Sequence, residues 1–190
     1  MVADRPPLSS RSQRGTTLLE VLITLVILAI GLLGLAGLQT RLQSSEMEAY
    51  QRSQALILLN DMASRIAANR TNALAYVTGA PLGGTAACPT SVATRQEADA
   101  GEWCNALKGA GETMGENNNV GAMVGGRGCV EALGASEYLV TVAWQGMTPI
   151  AAPPAGVTCG QGNYNGGTAC VNDLCRRVVT TIVRIGNLAP

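Results

Sequence analysis

Gly15, Thr16 and Glu20 stand together at the one place in this chain where residue type and spacing suggest covalent processing and charge pairing. Arg14 precedes the glycine, and the eighteen residues from Val21 to Leu38 carry no charge and a single hydroxyl, Thr24. As a helix rising about 1.5 Å per residue, that run reaches ~27 Å, close to the ~30 Å hydrocarbon core of a bilayer. A carboxylate placed in such a segment costs about 2.5 to 3.5 kcal/mol at the centre and less toward an end, so Glu20 calls for a partner or a role. Its minimal role is a first-turn carboxylate favoured by the helix macrodipole by about 0.3 to 1 kcal/mol.

An ordinary secretory signal does not account for the segment. Such signals have a core of about 7 to 15 apolar residues followed by a small-residue cleavage site. Here the apolar run is longer, and the sequence after Leu38, QTRLQSSEMEAYQRSQ, continues at helical spacing with no A-x-A site. The small residue beside a charge cluster is Gly15, which lies ahead of the apolar run.

The second set of reactive side chains is Cys88, Cys104, Cys129, Cys159, Cys170 and Cys175, all beyond the apolar segment. In an oxidising compartment an even count implies disulfides, and six cysteines leave fifteen pairings open. No spacing is C-x-x-C and the chain has no histidine, which argues against zinc and against a thioredoxin-like redox pair. Basic residues point the same way: Arg5, Arg11 and Arg14 precede the span, while Arg41 and Arg52 follow it among Glu46 and Glu48. The positive-inside rule puts the N-terminus in the cytoplasm and the cysteines outside it.

Composition excludes much else. The 190 residues have a formal net charge of zero, which removes an electrostatic case for nucleic acid. The absence of histidine excludes Ser-His-Asp and Cys-His catalysis, and Lys108, the only lysine, lies in no phosphate-binding loop. The Asn117 to Asn119 run lacks the acidic pattern of a calcium loop. The expectation is a protein that is not an enzyme and takes no cofactor or metal. With no phenylalanine and 23 glycines, its soluble part should have a modest core and many loops.

Positioning elements follow from periodicity. Residues 1–15 read as a polar leader, 16–40 as a membrane or filament-core helix, 41–70 as its amphipathic continuation and 71–190 as a disulfide-bonded head. Ala55, Leu58, Leu59, Met62 and Ile66 form a stripe at helical spacing, a surface for a head to pack on. Glu48 and Arg52, and Asp61 and Arg65, are acid-before-base pairs four residues apart, each worth a few tenths of a kcal/mol. Asn69, Asn72, Gly79 and Pro81 mark the helix end, giving an expected length of ~80 Å from Thr16. From Pro81 to Gly128 turn chemistry dominates, with a short helix around Glu102, Trp103 and Cys104 tied down by a bridge. Glu137 to Gln145 reads as a strand with Tyr138, Val140, Val142 and Trp144 on one face and Thr141 and Gln145 on the other. Arg176 to Ile185, apolar on both faces, reads as a central strand. The proline- and glycine-rich connection between them is expected to be a surface loop pinned by Cys159 and Cys170.

Gly15 followed by TTLLE and an unbroken apolar run resembles the class III signal of type IV prepilins. That resemblance implies cleavage between Gly15 and Thr16 by prepilin peptidase, N-methylation of Thr16, and subunit docking through Glu20. The run IGLLGLAGLQ, Ile30 to Gln39, and more loosely the pattern W-x-G, cysteines, then CRRVVTTIV, resemble the minor-pilin family called type IV pilus modification protein PilV. The chain departs from the pilin pattern in having Thr16 where phenylalanine or methionine is usual. It also has Gly37 where major pilins carry a helix-bending proline, with Gly31 and Gly34 nearby; these soften a helix without forcing a kink. The implied fold is α+β, a long N-terminal helix packed on a small antiparallel sheet with disulfides. The implied partners are other minor pilins and the major pilin, prepilin peptidase, the inner-membrane assembly platform and a tip adhesin. The implied location is the bacterial inner membrane, with the head in the periplasm, and then the pilus. A pseudopilin of a type II secretion system would share the N-terminal motif, and a bitopic periplasmic enzyme or binding protein with an uncleaved anchor is the remaining alternative.

Overall fold

The computed structural model describes residues 15–111, 113–114, 118–119, 121 and 123–186; the expected leader, apart from Gly15, and Asn117 lie outside the described residues. Two compact units meet between Gln43 and Ser44. One helix, α1 (Leu18–Ala68), contributes to both. It ends one residue before Asn69, whose φ of −109° and ψ of 43° leave the helical region, and a 3-10 helix (Arg70–Tyr76) follows. Gly31, Gly34 and Gly37 lie within α1 without interrupting it.

The first unit contains the apolar half of α1, where every residue from Val21 to Leu38 is exposed. A helix apolar on all sides must be covered by lipid or by other subunits to be stable. This is the one described helix long and apolar enough to cross a membrane, and none of its apolar window is buried.

The second unit is a sheet with a helix layer. Its strands are β1 (Leu82–Gly83), β4 (Arg127–Gly134), β5 (Glu137–Gln145) and β6 (Arg176–Arg184), in the order β1-β4-β5-β6 and antiparallel throughout. A separate two-stranded ribbon joins β2 (Thr113–Met114) and β3 (Asn118–Asn119). The predicted stripe on α1 packs as expected: Ala55, Leu59, Met62 and Ile66 are buried against Val130, Val140, Val142 and Trp144, with Leu58 partly buried beside them. The long helix is therefore packed on a small antiparallel sheet, the α+β arrangement expected.

Between Cys88 and the ribbon lies α2 (Arg95–Leu107), which contains Glu102, Trp103 and Cys104. Its start is a capping box: Glu97 N donates to Thr94 Oγ1 and Thr94 N donates to Glu97 Oε2, both at 3.2 Å. Trp103 is fully buried and its Nε1 donates to Leu58 O at 2.9 Å, which joins α2 to α1. Its ring lies so close to Gly128 that a Cβ there would overlap it, and would also come 2.7 Å from Leu107 Cδ1. Only glycine lets β4 approach α2 this closely.

Three disulfides staple the loops: Cys88 to Cys104, Cys129 to Cys159 and Cys170 to Cys175. The first anchors α2, and the second ties β4 to the long connection before β6. That connection covers the face of β5 that carries Thr141. Ala143 is buried with Cys129, Cys159 and Tyr164, and Thr141 is fully buried.

One expectation is corrected and one strand was not anticipated. Strand β6 is the last strand of the sheet, not a central one. Its two apolar faces have another cause: Val179 and Val183 pack on the helix side, and Val178 packs on the cluster beneath the long loop. Strand β4, whose residues carry no clear alternation after the glycine-rich VGGRG, is the central strand not anticipated from the sequence.

Candidate functional site

At the start of the first unit, Gly15, Thr16 and Thr17 are exposed and precede the helix. A side chain added at Gly15 would have no atom within 4 Å, so the Gly15–Thr16 peptide is open to approach from outside. Thr17 acts as the cap: its carbonyl accepts from Glu20 N at 3.0 Å and its Oγ1 accepts from the same N–H at 3.3 Å. Glu20 thus occupies the first turn of α1, four residues from Thr16. Removal of residues 1–15 would create a cationic amine on Thr16 one turn from that carboxylate. The three residues singled out by sequence are therefore adjacent, accessible and placed at a helix start that leads directly into an uncovered apolar surface.

The second unit contains polar contacts that sequence reasoning missed. Arg65 Nε is 3.0 Å from Asp61 Oδ2, as its four-residue spacing predicts, and its Nη1 also reaches Asp99 Oδ1 at 2.7 Å and Glu102 Oε2 at 2.6 Å. Asp99 is buried and accepts from Tyr76 Oη at 2.6 Å, while Arg95 Nε lies 3.1 Å from its Oδ1. Burial pushes the Asp99 carboxyl upward, but Tyr76, Arg65 and Arg95 together hold it below the usual carboxylate range. Burial and the bond to Asp99 push the Tyr76 hydroxyl above its ordinary value. Asp61–Arg65 was visible as a local pair; the buried Asp99 gave no signal, because a lone aspartate in QEADAGEW reads as a solvated residue.

Glu48, expected to pair with Arg52 one turn on, instead accepts from Arg177 Nη2 at 2.9 Å and from Met147 N at 3.2 Å. This link pins both the start of β6 and the loop after β5 to α1. All six predicted cysteines are in disulfides, and none of the described cysteines is free.

Fold and junction together define a class: an apolar N-terminal helix with an exposed Gly-Thr junction and a first-turn glutamate, carrying a disulfide-stapled α+β head. The model for the prokaryotic N-terminal methylation motif matches residues 10–36, which include Gly15, Thr16 and Glu20. That match supports a type IV pilin-like or pseudopilin protein cleaved by prepilin peptidase. No curated protein and no solved structure matches the chain.

Proposed function

We propose that this protein is a minor pilin of a type IV pilus, closest in kind to the PilV family. Prepilin peptidase cuts between Gly15 and Thr16, Thr16 is N-methylated, and Glu20 docks against the N-terminal amine of a neighbouring subunit. The observation that carries this reading is the coincidence of an accessible glycine junction, a carboxylate in the first helical turn and an apolar half-helix none of whose window is buried. The subunit is held in the bacterial inner membrane with its leader cytoplasmic and its head periplasmic. There it joins other minor pilins and the major pilin on the assembly platform, in a priming or tip complex that supports adhesion, through a tip adhesin, and twitching. It has no enzymatic role, and the disulfides serve a periplasmic head.

The type II pseudopilin reading shares the methylation motif, so it is separated by phenotype. Deletion of the gene in its native host is expected to remove or sharply reduce surface pili and twitching while secretion of type II substrates continues, with both restored by the wild-type chain. Loss of type II secretion with normal pili would replace the minor-pilin reading by the pseudopilin one.

A further inference from the structure

We infer that the free edge of β6 is a docking site for an extended strand of a partner protein, one that carries apolar side chains and a carboxylate at the end beside Arg177. The inference concerns the head alone and holds for either filament system. Strand β6 pairs with β5 along nine residues and, among the described residues, has no strand on its other side. A long edge of this kind presents unpaired N–H and C=O groups and is a template for another chain. Six of its nine residues, Val178 to Val183, are β-branched in succession, and Ile182 is 47% exposed.

A cavity of about 530 Å³ lies along that edge. Its lining includes Arg176, Arg177, Val178 and Val179. Successive strand residues point to opposite faces of a sheet, so a cavity touching four in a row reaches round the start of the edge, while Trp144 of β5 places part of it on the helix side. Ile150 and Pro153 of the loop after β5, and Ala49 of α1, supply more of its apolar lining. Trp144 also lines it, is 3% exposed, and has an Nε1 with no hydrogen-bond partner. A strand added to β6 would make main-chain bonds along the edge and seat an alternate side chain in the cavity, the usual division between affinity and specificity in strand addition.

Charge selects the occupant. Glu48, Arg52 and Arg177 line the cavity, and Glu48 is engaged by Arg177. Arg52 is exposed and has no ion pair among the described residues, leaving one uncompensated positive charge on the rim. Self-pairing is disfavoured: an antiparallel β6 to β6 contact centred on Thr180 would set Arg176 opposite Arg184 at both ends, and like charges directly opposite destabilise a ladder. An acidic strand from a different protein fits both features.

The test uses the full chain in detergent micelles and three blocked peptides: Asp-Thr-Val-Thr-Val-Thr-Val, the same peptide with Lys in place of Asp, and the acidic peptide N-methylated on every peptide nitrogen. Fluorescence anisotropy should show the acidic peptide binding at least about tenfold more tightly than the lysine peptide, and the N-methylated peptide not binding. Arg52→Glu should reverse the preference between the first two. Amide exchange should slow across 176–184 on adding the acidic peptide. Equal binding of all three peptides, no binding of any, or protection confined to other segments would overturn the proposal. Protection of 176–184 that grows with protein concentration in the absence of peptide would also overturn it, in favour of pairing with a second copy.

Discussion

Glu20→Ala is expected to leave cleavage at Gly15 intact and to lower incorporation of the subunit into filaments by at least about tenfold, as read from the subunit's share in sheared pilus fractions against its level in membranes. The cut depends on Gly15 and the exposed residues around it, which the substitution does not touch. Incorporation depends on what happens to two charges in an apolar setting. Once residues 1–15 are gone, Thr16 carries a positive amine beside a helix whose next eighteen uncharged residues must be covered by lipid or neighbours. Removing one member of a buried ion pair leaves the other uncompensated, at a cost of about 3 to 5 kcal/mol when burial is complete. Partial hydration at the end of a helix reduces that figure, and the ~1.4 kcal/mol that corresponds to tenfold remains well within it. The same penalty rejects wrong staggers, since any register that does not bring a carboxylate to the amine leaves both unpaired. Glu20→Gln, similar in shape and without charge, should behave like the alanine variant; normal incorporation of both variants would remove the docking role.

Trp103→Ala is expected to destabilise the head by about 3 to 5 kcal/mol, the range for deleting a large aromatic from a close-packed core. Trp103 is fully buried, sits against Gly128 of β4 and bonds through Nε1 to Leu58 of α1, so its loss opens a cavity where helix, sheet and α2 meet. Against the ~5 to 15 kcal/mol of a typical domain this is a large fraction. Thermal unfolding of the full chain in detergent, followed by near-UV circular dichroism, should show a midpoint lower by roughly 10 °C. Val92→Ala, at a site 76% exposed, is the comparison and should change stability by less than about 0.5 kcal/mol. A midpoint for Trp103→Ala within a degree or two of wild type would mean that α2 does not depend on this contact.

Elements with strong periodic patterns were legible in the sequence. The stripe at Ala55, Leu59, Met62 and Ile66 specifies the packed face of α1 because a 3.6-residue repeat leaves little choice of register. Strand β5 was legible for the same reason, with a repeat of two. The cover on its second face carried no signal, because Thr141 is polar by type and is buried by a loop whose course depends on the Cys129–Cys159 bridge. Cysteine spacing fixed the presence of bridges and not their partners, and that loop could not be placed without the pairing. Strand β4 was hidden by its glycines: Gly128 is required by the Trp103 ring, a tertiary reason that no local pattern announces. Edge position for β6 was equally invisible, since apolar residues on both faces report layers packed above and below a strand and not whether a neighbour pairs with each of its edges.

The proposed processing site is the most local part of the sequence reading, because its residues lie within six consecutive positions. Gly15, Thr16 and Glu20 need only a helix start to be brought together, and Thr17 provides its cap. The Arg65, Asp99 and Tyr76 contacts depend on residues up to 34 positions apart and became visible only with the fold.

Intact and N-terminal mass spectrometry of the protein from native membranes tests the central claim most directly. The predicted result is a mature chain that begins at N-methylated Thr16 and retains Glu20 as its fifth residue. A chain beginning at Met1, or one beginning beyond Leu38, would contradict pilin-type processing and with it the docking role of Glu20.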